Sequence, residues 1–210
     1  MVGTPRSEII VTESLVSALI ADQHSQFAGL PVSLSGEGWD NFTFRLGEDL
    51  AVRLPRRALA VDLLLNEQHW LKVATRNVSL PVPRPVAIGA AGHGYPWPWS
   101  IVPWIDGTPV DHAPLDAEQG SALAAFLHAL HRPAPADAPA NPGRGVRLET
   151  RREGFAPCLD RLRTSCDLIT PAIDAAWRGA LAASLCDAPV WLHGDLHAQN
   201  VLSLEGRLAG

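Results

Sequence analysis

Lysine is almost absent from this chain: Lys72 is the one lysine among its seventeen positively charged residues. Any function that needs a cation on a β-strand must therefore use arginine. The 210 residues carry a net charge of −5, which gives no electrostatic support for binding a nucleic acid. We expect no nucleic-acid partner.

The sequence also lacks long apolar runs and cysteine pairs. The N-terminal segment is interrupted by acidic residues, which excludes a signal peptide or a membrane span there. Cys158, Cys166 and Cys186 show no C-x-x-C spacing. An odd number of cysteines without a pairing pattern is typical of buried, reduced thiols. We therefore expect a cytoplasmic protein with no membrane partner.

The first half of the chain combines helical and strand patterns. The composition, 47% hydrophobic and 19% charged, is that of a globular protein with a core. Thr12 can cap a helix that continues to about Asp22. From Val32 to Arg57, apolar and polar residues alternate around a tight turn at Gly47, which predicts an antiparallel meander. A helical period then covers residues 58–76, and two more short strands fit within residues 80–107.

The second half is mostly helical. Leu123, Phe126, Leu127 and Leu130 follow the i, i+3, i+4, i+7 pattern of a helix. Two further helices are predicted at about 155–168 and 172–186, the second ending at Cys186. We predict an α+β, two-lobed fold, with an N-lobe at residues 1–104, a partial helical C-lobe at residues 105–210 and a cleft near the boundary.

The segment GEGWDN joins two predicted strands. Gly36 and Gly38 permit a turn whose backbone N–H groups can approach an anion without an intervening side chain. Asn41 stands where a G-x-G-x-x-G loop would have its third glycine. The alternative is an ordinary hairpin turn, which is glycine-rich for conformational reasons alone.

The segment AVRL places Ala51 and Arg53 on one face of the next strand. A small residue beside a cation allows a flat base to lie against the sheet while the charge reaches phosphates. Glu67, on the following helix, can hold Arg53 in a bidentate ion pair. The alternatives are an exposed arginine on an edge strand and a solvated helix glutamate.

The segment VWLHGDLHAQNVL presents Asp195 and Asn200 five residues apart, after a short strand. Phosphoryl transfer from ATP uses this pair, because a carboxylate orients the attacking hydroxyl and accepts its proton, while an amide oxygen binds Mg²⁺. In a second reading, His193, Asp195 and His197 alternate on an extended strand and bind a metal, as in a hydrolase. Gly194 favours a turn instead. A loop with incidental polar residues is the third possibility.

Taken together and in this order, these segments resemble the aminoglycoside phosphotransferase family of protein-kinase-like small-molecule kinases. GEGWDNFTFRLGEDLAVRLPRR resembles its glycine loop and third strand, and NEQHWL its helix glutamate. YPWPWSIVPWIDG resembles its interlobe hinge, LAAFLHALH its first long C-lobe helix, and WLHGDLHAQNVL its catalytic loop, H-G-D-x-x-x-x-N.

The resemblance implies ATP and Mg²⁺ as cofactors and a small-molecule hydroxyl as the acceptor. Asp195 would be the catalytic base, and His197, at the place of the loop lysine of protein kinases, is a second candidate catalytic residue. The other implied roles are a structural one for His193, magnesium binding by Asn200, phosphate contacts from Gly36, Gly38, Asn41 and Arg53 (paired with Glu67), and adenine contacts from Ala51, Val102 and Trp104.

The sequence departs from the family at two points. Most members have lysine where this chain has Arg53, although macrolide kinases show a similar R-x-P-R strand. The family also places I-D-x-G one strand beyond the catalytic loop, and its aspartate is the main magnesium ligand; no aspartate follows Asn200 here. We therefore expect a truncated chain with negligible ATP turnover. A non-catalytic, nucleotide-binding remnant is the alternative function.

Overall fold

The computed structural model describes residues 5–141, 143–166, 169–184 and 188–210. Their contacts define two compact units. Met1–Arg132 and Leu196–Gly210 form the first, here called the sheet unit, and Pro133–Asp195 form the second, here called the helical unit. This division by contacts does not test the predicted lobes, so a lobe boundary near residue 104 stays a prediction.

The helices and strands follow the order expected of an α+β protein. In chain order they are α1 (Glu13–Gln23), β1 (Val32–Glu37), β2 (Asn41–Leu46), β3 (Leu50–Pro55), α2 (Val61–Ala74), β4 (Ala87–Gly89), β5 (Trp99–Pro103), β6 (Thr108–Pro109), α3 (Gly120–Leu130), α4 (Arg152–Ser165), α5 (Pro171–Ala182), β7 (Leu202–Leu204) and β8 (Arg207–Leu208).

The main sheet has the strand order β1-β2-β3-β5-β4, and every neighbouring pair is antiparallel. The predicted meander is therefore confirmed. Gly47, with φ of +60°, makes the tight turn between β2 and β3, where a left-handed conformation suits glycine. Within β2, the residues predicted to face the core are buried and those between them are half-buried.

One face of the sheet packs on α1. Thr12 caps this helix, because its hydroxyl accepts a hydrogen bond from Leu15 N at 3.2 Å. The buried residues of this core are Val16, Leu19, Ile20, Phe42, Phe44, Leu46, Val52, Leu54, Tyr95, Trp99 and Ile101. The side chains left on the opposite face, Arg53 among them, are the ones that the sequence assigned to a ligand site.

A second, three-stranded sheet in the sheet unit has the order β6-β7-β8. Glu205 (φ +53°) and Gly206 (φ +78°) form the two-residue turn of its hairpin, as a type I′ turn requires. A strand, a turn and a return strand thus follow Asn200. No helix among the described residues is long and apolar enough to cross a membrane.

The helical unit contains α4 and α5. Phe155 and Trp177 join the two helices, with ring centroids 4.4 Å apart. The predicted helix ends at Leu168 and Cys186 lie outside the described residues. The prediction of buried thiols is wrong for Cys158, which is exposed, because it lies on an α4 surface that the described residues leave uncovered.

Candidate functional site

The glycine hairpin, residues 36–41, joins β1 to β2. Gly38 N donates to Asn41 O at 2.9 Å and closes the turn. Neither Gly36 nor Gly38 has a positive φ. A Cβ added at Gly36 would meet no atom within 4 Å, and one at Gly38 would make only an ordinary contact at 3.5 Å. The described residues therefore leave open space at Gly36 and only an ordinary contact at Gly38, so the phosphate loop stays a prediction.

Gly36 and Arg53 lie in one row across the sheet. Gly36 pairs with Thr43, Thr43 pairs with Arg53, and Arg53 pairs with Ser100. Cross-strand partners project from the same face of a sheet. Two strand spacings separate Gly36 from Arg53, so their backbones are about 10 Å apart. The open glycine and the strand cation therefore share a face at a spacing that a chain of phosphates can span.

Arg53 and Glu67 form an ion pair. Arg53 Nη1 lies 2.5 Å from Glu67 Oε1, and the two side chains are 24% and 21% exposed. The contact uses one nitrogen and one oxygen rather than the two-bond fork that the sequence led us to expect. Gln68 donates to Trp99 O and to Ser100 Oγ and fixes this part of α2 against β5. The alternative of an edge strand is wrong, because β3 lies between β2 and β5.

The candidate adenine contacts lie where β3 pairs with β5. Ala51 pairs with Val102, and they are 3% and 2% exposed. Trp104 N donates to Asp49 O at 2.8 Å, and Arg45 stacks on the Trp104 ring at 4.0 Å. Because that N–H already has an acceptor, a base held here would need other main-chain groups of the same segment.

Asp195 is the last residue of the helical unit. Gly194 has φ of +76°, so the predicted turn after His193 is present. Asp195 N donates to His193 Nδ1 at 3.3 Å. One carboxylate oxygen of Asp195 lies 2.5 Å from Arg144 Nη2, and both side chains are about half exposed. The carboxylate is thus ionically paired and reachable from solvent.

Arg144 lies in the segment between α3 and α4, for which the sequence predicted no contact with Asp195. Asn141 Oδ1 accepts hydrogen bonds from Gly143 N and Arg144 N, and Arg151 donates to Gly143 O. Gly145 has φ of +63°, and a Cβ there would lie 2.8 Å from Leu192. The combination of one asparagine with two nearby glycines was the sequence signal that a built turn occurs here.

His197 and Asn200 belong to the sheet unit and contact each other. His197 Nδ1 accepts from Gln199 N at 3.2 Å, so in a neutral ring the proton is on Nε2. Nε2 lies 3.0 Å from Asn200 Nδ2. His197 therefore contacts the side-chain amide that the sequence assigned to Mg²⁺.

The three-ligand metal site of the hydrolase alternative is not formed. Among the described residues, no group of three or more His, Cys, Asp or Glu side chains is arranged to hold a metal ion. The left-handed Gly194 gives the physical reason, since it breaks the extended strand on which the alternation of His193, Asp195 and His197 depended.

The fold is that of a protein-kinase-like phosphotransferase. Residues 32–210 match the family described as "Phosphotransferase enzyme family" (APH), and the chain belongs to it. No curated protein matches the chain. The resemblance and the fold class that the sequence predicted are both confirmed.

Solved structures share the fold. A GDP complex of wild-type aminoglycoside 2'-phosphotransferase-IIIa is 18% identical, with a TM-score of 0.68 over 95% of this chain and 71% of that one. Macrolide 2'-phosphotransferase MphH from Brachybacterium faecium is 20% identical, with a TM-score of 0.57 over 94% and 69%. A streptomycin-ATP-APH(2")-IIa complex is 17% identical, with a TM-score of 0.57 over 96% and 69%.

Proposed function

We propose that the reaction of this protein is transfer of the terminal phosphoryl group of ATP to a hydroxyl of a small molecule. The negligible ATP turnover expected from the sequence concerns the rate of this reaction and stays a prediction, so the transfer is tested below under single-turnover conditions. The observation that carries the proposal is the row Gly36–Thr43–Arg53, which puts an open glycine backbone and a cation paired with Glu67 on one face of the sheet. Family membership of residues 32–210 supports the same reaction class. ATP as the donor agrees with a cytoplasmic location.

Arg53 would contact the phosphates of ATP. Its partner Glu67 keeps the guanidinium in one place, and side chains that are about a quarter exposed leave it reachable. Asn41, at the third-glycine position, has a buried Oδ1 without a hydrogen-bond partner among the described residues. A buried oxygen without a hydrogen-bond donor from the chain can accept one from a ligand or a bound water.

Asp195 would act on the acceptor. Its carboxylate would orient the attacking hydroxyl and take its proton as the new oxygen–phosphorus bond forms and the bond from the γ-phosphorus to the bridging oxygen breaks, with ADP as the leaving group. The left-handed Gly194 presents this side chain to solvent, where an acceptor can reach it. Asn200 would hold Mg²⁺ through its amide oxygen, His197 would keep that amide in place, and the ion would supply charge neutralisation.

An aminoglycoside or a macrolide is the acceptor class we propose first. Structures that share this fold include a kanamycin complex with GDP, a streptomycin complex with ATP and a macrolide phosphotransferase. A role in antibiotic resistance would follow from such a substrate. Other small alcohols belong in the same assay panel, because identities near 20% transfer the fold and not the substrate.

ATP binding by the chain, measured by calorimetry with Mg²⁺ present, is the first test. Arg53→Met should weaken ATP binding about tenfold to hundredfold, the effect expected on losing hydrogen bonds to a charged group. Arg76→Met is the matched control, since Arg76 is exposed and its substitution removes the same charge outside the site. An equal loss of ATP affinity in both variants would contradict the assignment of Arg53 as a phosphate contact.

Phosphoryl transfer is the second test, made under single-turnover conditions with ATP labelled at the γ-phosphate and with excess protein. Product carrying the label on aminoglycoside, macrolide or another alcohol supports the proposed reaction. Binding of ATP without transfer to any acceptor would contradict it and favour the nucleotide-binding alternative. Absence of ATP binding would contradict both.

A further inference from the structure

Two arginines that the proposed reaction does not use directly lie at the end of β3. Arg56 and Arg57 follow Pro55, the last residue of that strand, and both reach the glycine hairpin. Arg56 is the more unusual of the two, because it is 5% exposed. A buried guanidinium costs free energy unless it is paired and hydrogen-bonded, so its contacts call for a functional explanation.

Every recorded polar contact of the Arg56 side chain is to the hairpin. Nη1 donates to Gly38 O at 2.7 Å, and Nη2 donates to Glu37 Oε2 at 3.1 Å. The main-chain N of Arg56 donates to Asp40 O at 2.9 Å. The guanidinium also lies over the Phe42 ring, 5.1 Å from its centroid, a favourable cation–π position.

Arg57 holds the other side of the same turn. Its Nη2 donates to Asp40 Oδ1 at 2.8 Å, and its side chain is 16% exposed. Arg57 Nη2 also donates to Trp39 O at 3.5 Å, so the two arginines together contact Glu37, Gly38, the Trp39 carbonyl and Asp40. We call this set of contacts the arginine clamp.

The clamp fixes the orientation of one peptide group. In a trans peptide, the C=O of one residue and the N–H of the next point in opposite directions. Because Gly38 O points to Arg56, the N–H of Trp39 points away from the clamp. The part of the chain that the structure describes provides no acceptor for that N–H. An outward N–H beside an open glycine is the donor that an anionic phosphate needs.

We propose that Arg56 and Arg57 are positioning residues that hold the glycine hairpin in its phosphate-binding shape before the nucleotide arrives. The inference rests on the proposed function, since it assigns the hairpin to the phosphates of ATP. A purely structural role would make the clamp stabilise the sheet without favouring phosphates over any other part of the ligand.

The decisive experiment compares ATP with adenosine on Arg56→Met, Arg57→Met and the control Arg76→Met. Adenosine shares the base and ribose but has no phosphates. Arg56→Met should weaken ATP binding about tenfold to hundredfold and leave adenosine binding within about twofold. Arg56→Lys, which retains one donor group, should recover part of the loss. Equal losses for ATP and adenosine would overturn the inference.

Hydrogen exchange of the hairpin amides gives an independent readout without nucleotide. Exchange at residues 36–41 should accelerate in Arg56→Met and, less strongly, in Arg57→Met, while peptides from β5 keep their wild-type rates. Unchanged hydrogen exchange at residues 36–41 would contradict the inference that the arginine clamp orders the hairpin. Should Arg56→Met fail to fold, Asp40→Ala removes the contact to Arg57 from the exposed side of the turn, and the same two measurements apply.

The two proposals fail in different ways. If the wild-type chain binds neither ATP nor adenosine, the proposed function fails. Hydrogen exchange of the hairpin amides still tests the clamp in that case: faster exchange in Arg56→Met supports it, and unchanged exchange contradicts it. If the wild-type chain binds ATP and the arginine variants bind it equally well, the proposed function stands and the inference fails.

Discussion

The sheet unit and the helical unit hold their candidate site residues in different ways. In the sheet unit, Arg53 is fixed by strand register, by Glu67 and by a core on the other face of the sheet. In the helical unit, Asp195 depends on a left-handed glycine and an exposed ion pair with Arg144. All described buried hydrophobic side chains except Leu159 belong to the sheet unit.

Under the proposed function, this difference would separate nucleotide binding from phosphoryl transfer. A register that pairs Gly36, Thr43 and Arg53 cannot shift by one residue without turning each side chain to the other face, so the positions of the residues proposed to bind nucleotide are strongly specified. Loop-mounted residues are less tightly specified. We therefore expect variants in the sheet unit to change stability and nucleotide affinity, and variants near Asp195 to change the rate of transfer.

The largest expected effect is on that rate. Asp195→Asn should lower single-turnover phosphoryl transfer about 10²-fold to 10⁴-fold, because the amide cannot accept the proton of the hydroxyl. Nucleotide affinity should stay within about twofold, since an interaction made with the acceptor does not hold ATP.

The control for Asp195→Asn is Asp160→Asn. Asp160 is a second carboxylate of the helical unit that is paired with an arginine, Arg163, at 2.8 Å. Its loss should leave the transfer rate unchanged. A comparable decrease in both variants would show that loss of an ion pair, and not loss of a base, slows the reaction.

The next effect is on the free energy of unfolding. Leu54 is fully buried, so Leu54→Ala should lower it by about 2–5 kcal/mol. Leu162 is 41% exposed, and Leu162→Ala should change it by about 0.5 kcal/mol or less. Urea unfolding followed by circular dichroism measures both. Equal losses of unfolding free energy would contradict the difference in packing between the sheet unit and the helical unit.

A smaller effect is expected in the turn beside Asp195. Gly145→Ala should cost about 1–3 kcal/mol, because φ is +63° and the added Cβ would lie 2.8 Å from Leu192. Faster hydrogen exchange around residues 143–146 and slower transfer are the measurements. Gly154→Ala is the control and should raise the free energy of unfolding. Gly154 lies in α4 with no atom within 4 Å of an added Cβ, and alanine favours a helix over glycine by about 0.5–1 kcal/mol. A stable Gly145→Ala protein would exclude a constrained turn.

The fold was largely predictable because strand alternation, helix period and turn residues are local signals. Thr12, Gly47 and the alternation through β2 and β3 each predicted its element correctly. The pairing of Arg53 with Glu67 was predicted from the order of motifs. The central position of β3, the strand that carries Arg53, could not be predicted. Strand order depends on the pairing of β3 with β5, which is far along the chain and carries no local signal for its neighbour.

The contacts that sequence reasoning missed join loops to side chains. Arg144 reaches Asp195, and Arg56 reaches Gly38, through long, flexible guanidinium groups whose targets are set by three-dimensional proximity. Trp104 N donates to Asp49 O, a contact between the end of β5 and the turn before β3 that the sequence did not predict. Such partners follow from register and turn geometry, which composition and spacing do not encode.

The smallest expected effect is a loss of folding stability in alkaline solution that comes from a residue of the sheet unit. Tyr95, the one tyrosine of the chain, belongs to the sheet unit and donates to Pro55 O at 3.0 Å. Burial raises the pKa of its phenol well above the ordinary value. The unfolded chain ionises this group near pH 10, whereas the folded chain keeps it protonated.

The sign of the alkaline effect follows from that pKa difference. Stability should be complete below about pH 10 and should fall as the pH rises further, by about 1.4 kcal/mol per pH unit. Tyr95→Phe should flatten this dependence in urea unfolding between about pH 9 and 11. Lys72→Arg, which replaces the one lysine of the chain and keeps its positive charge, should leave it unchanged. A dependence that persists in Tyr95→Phe would assign the alkaline loss to another group and remove this distinction between the sheet unit and the helical unit.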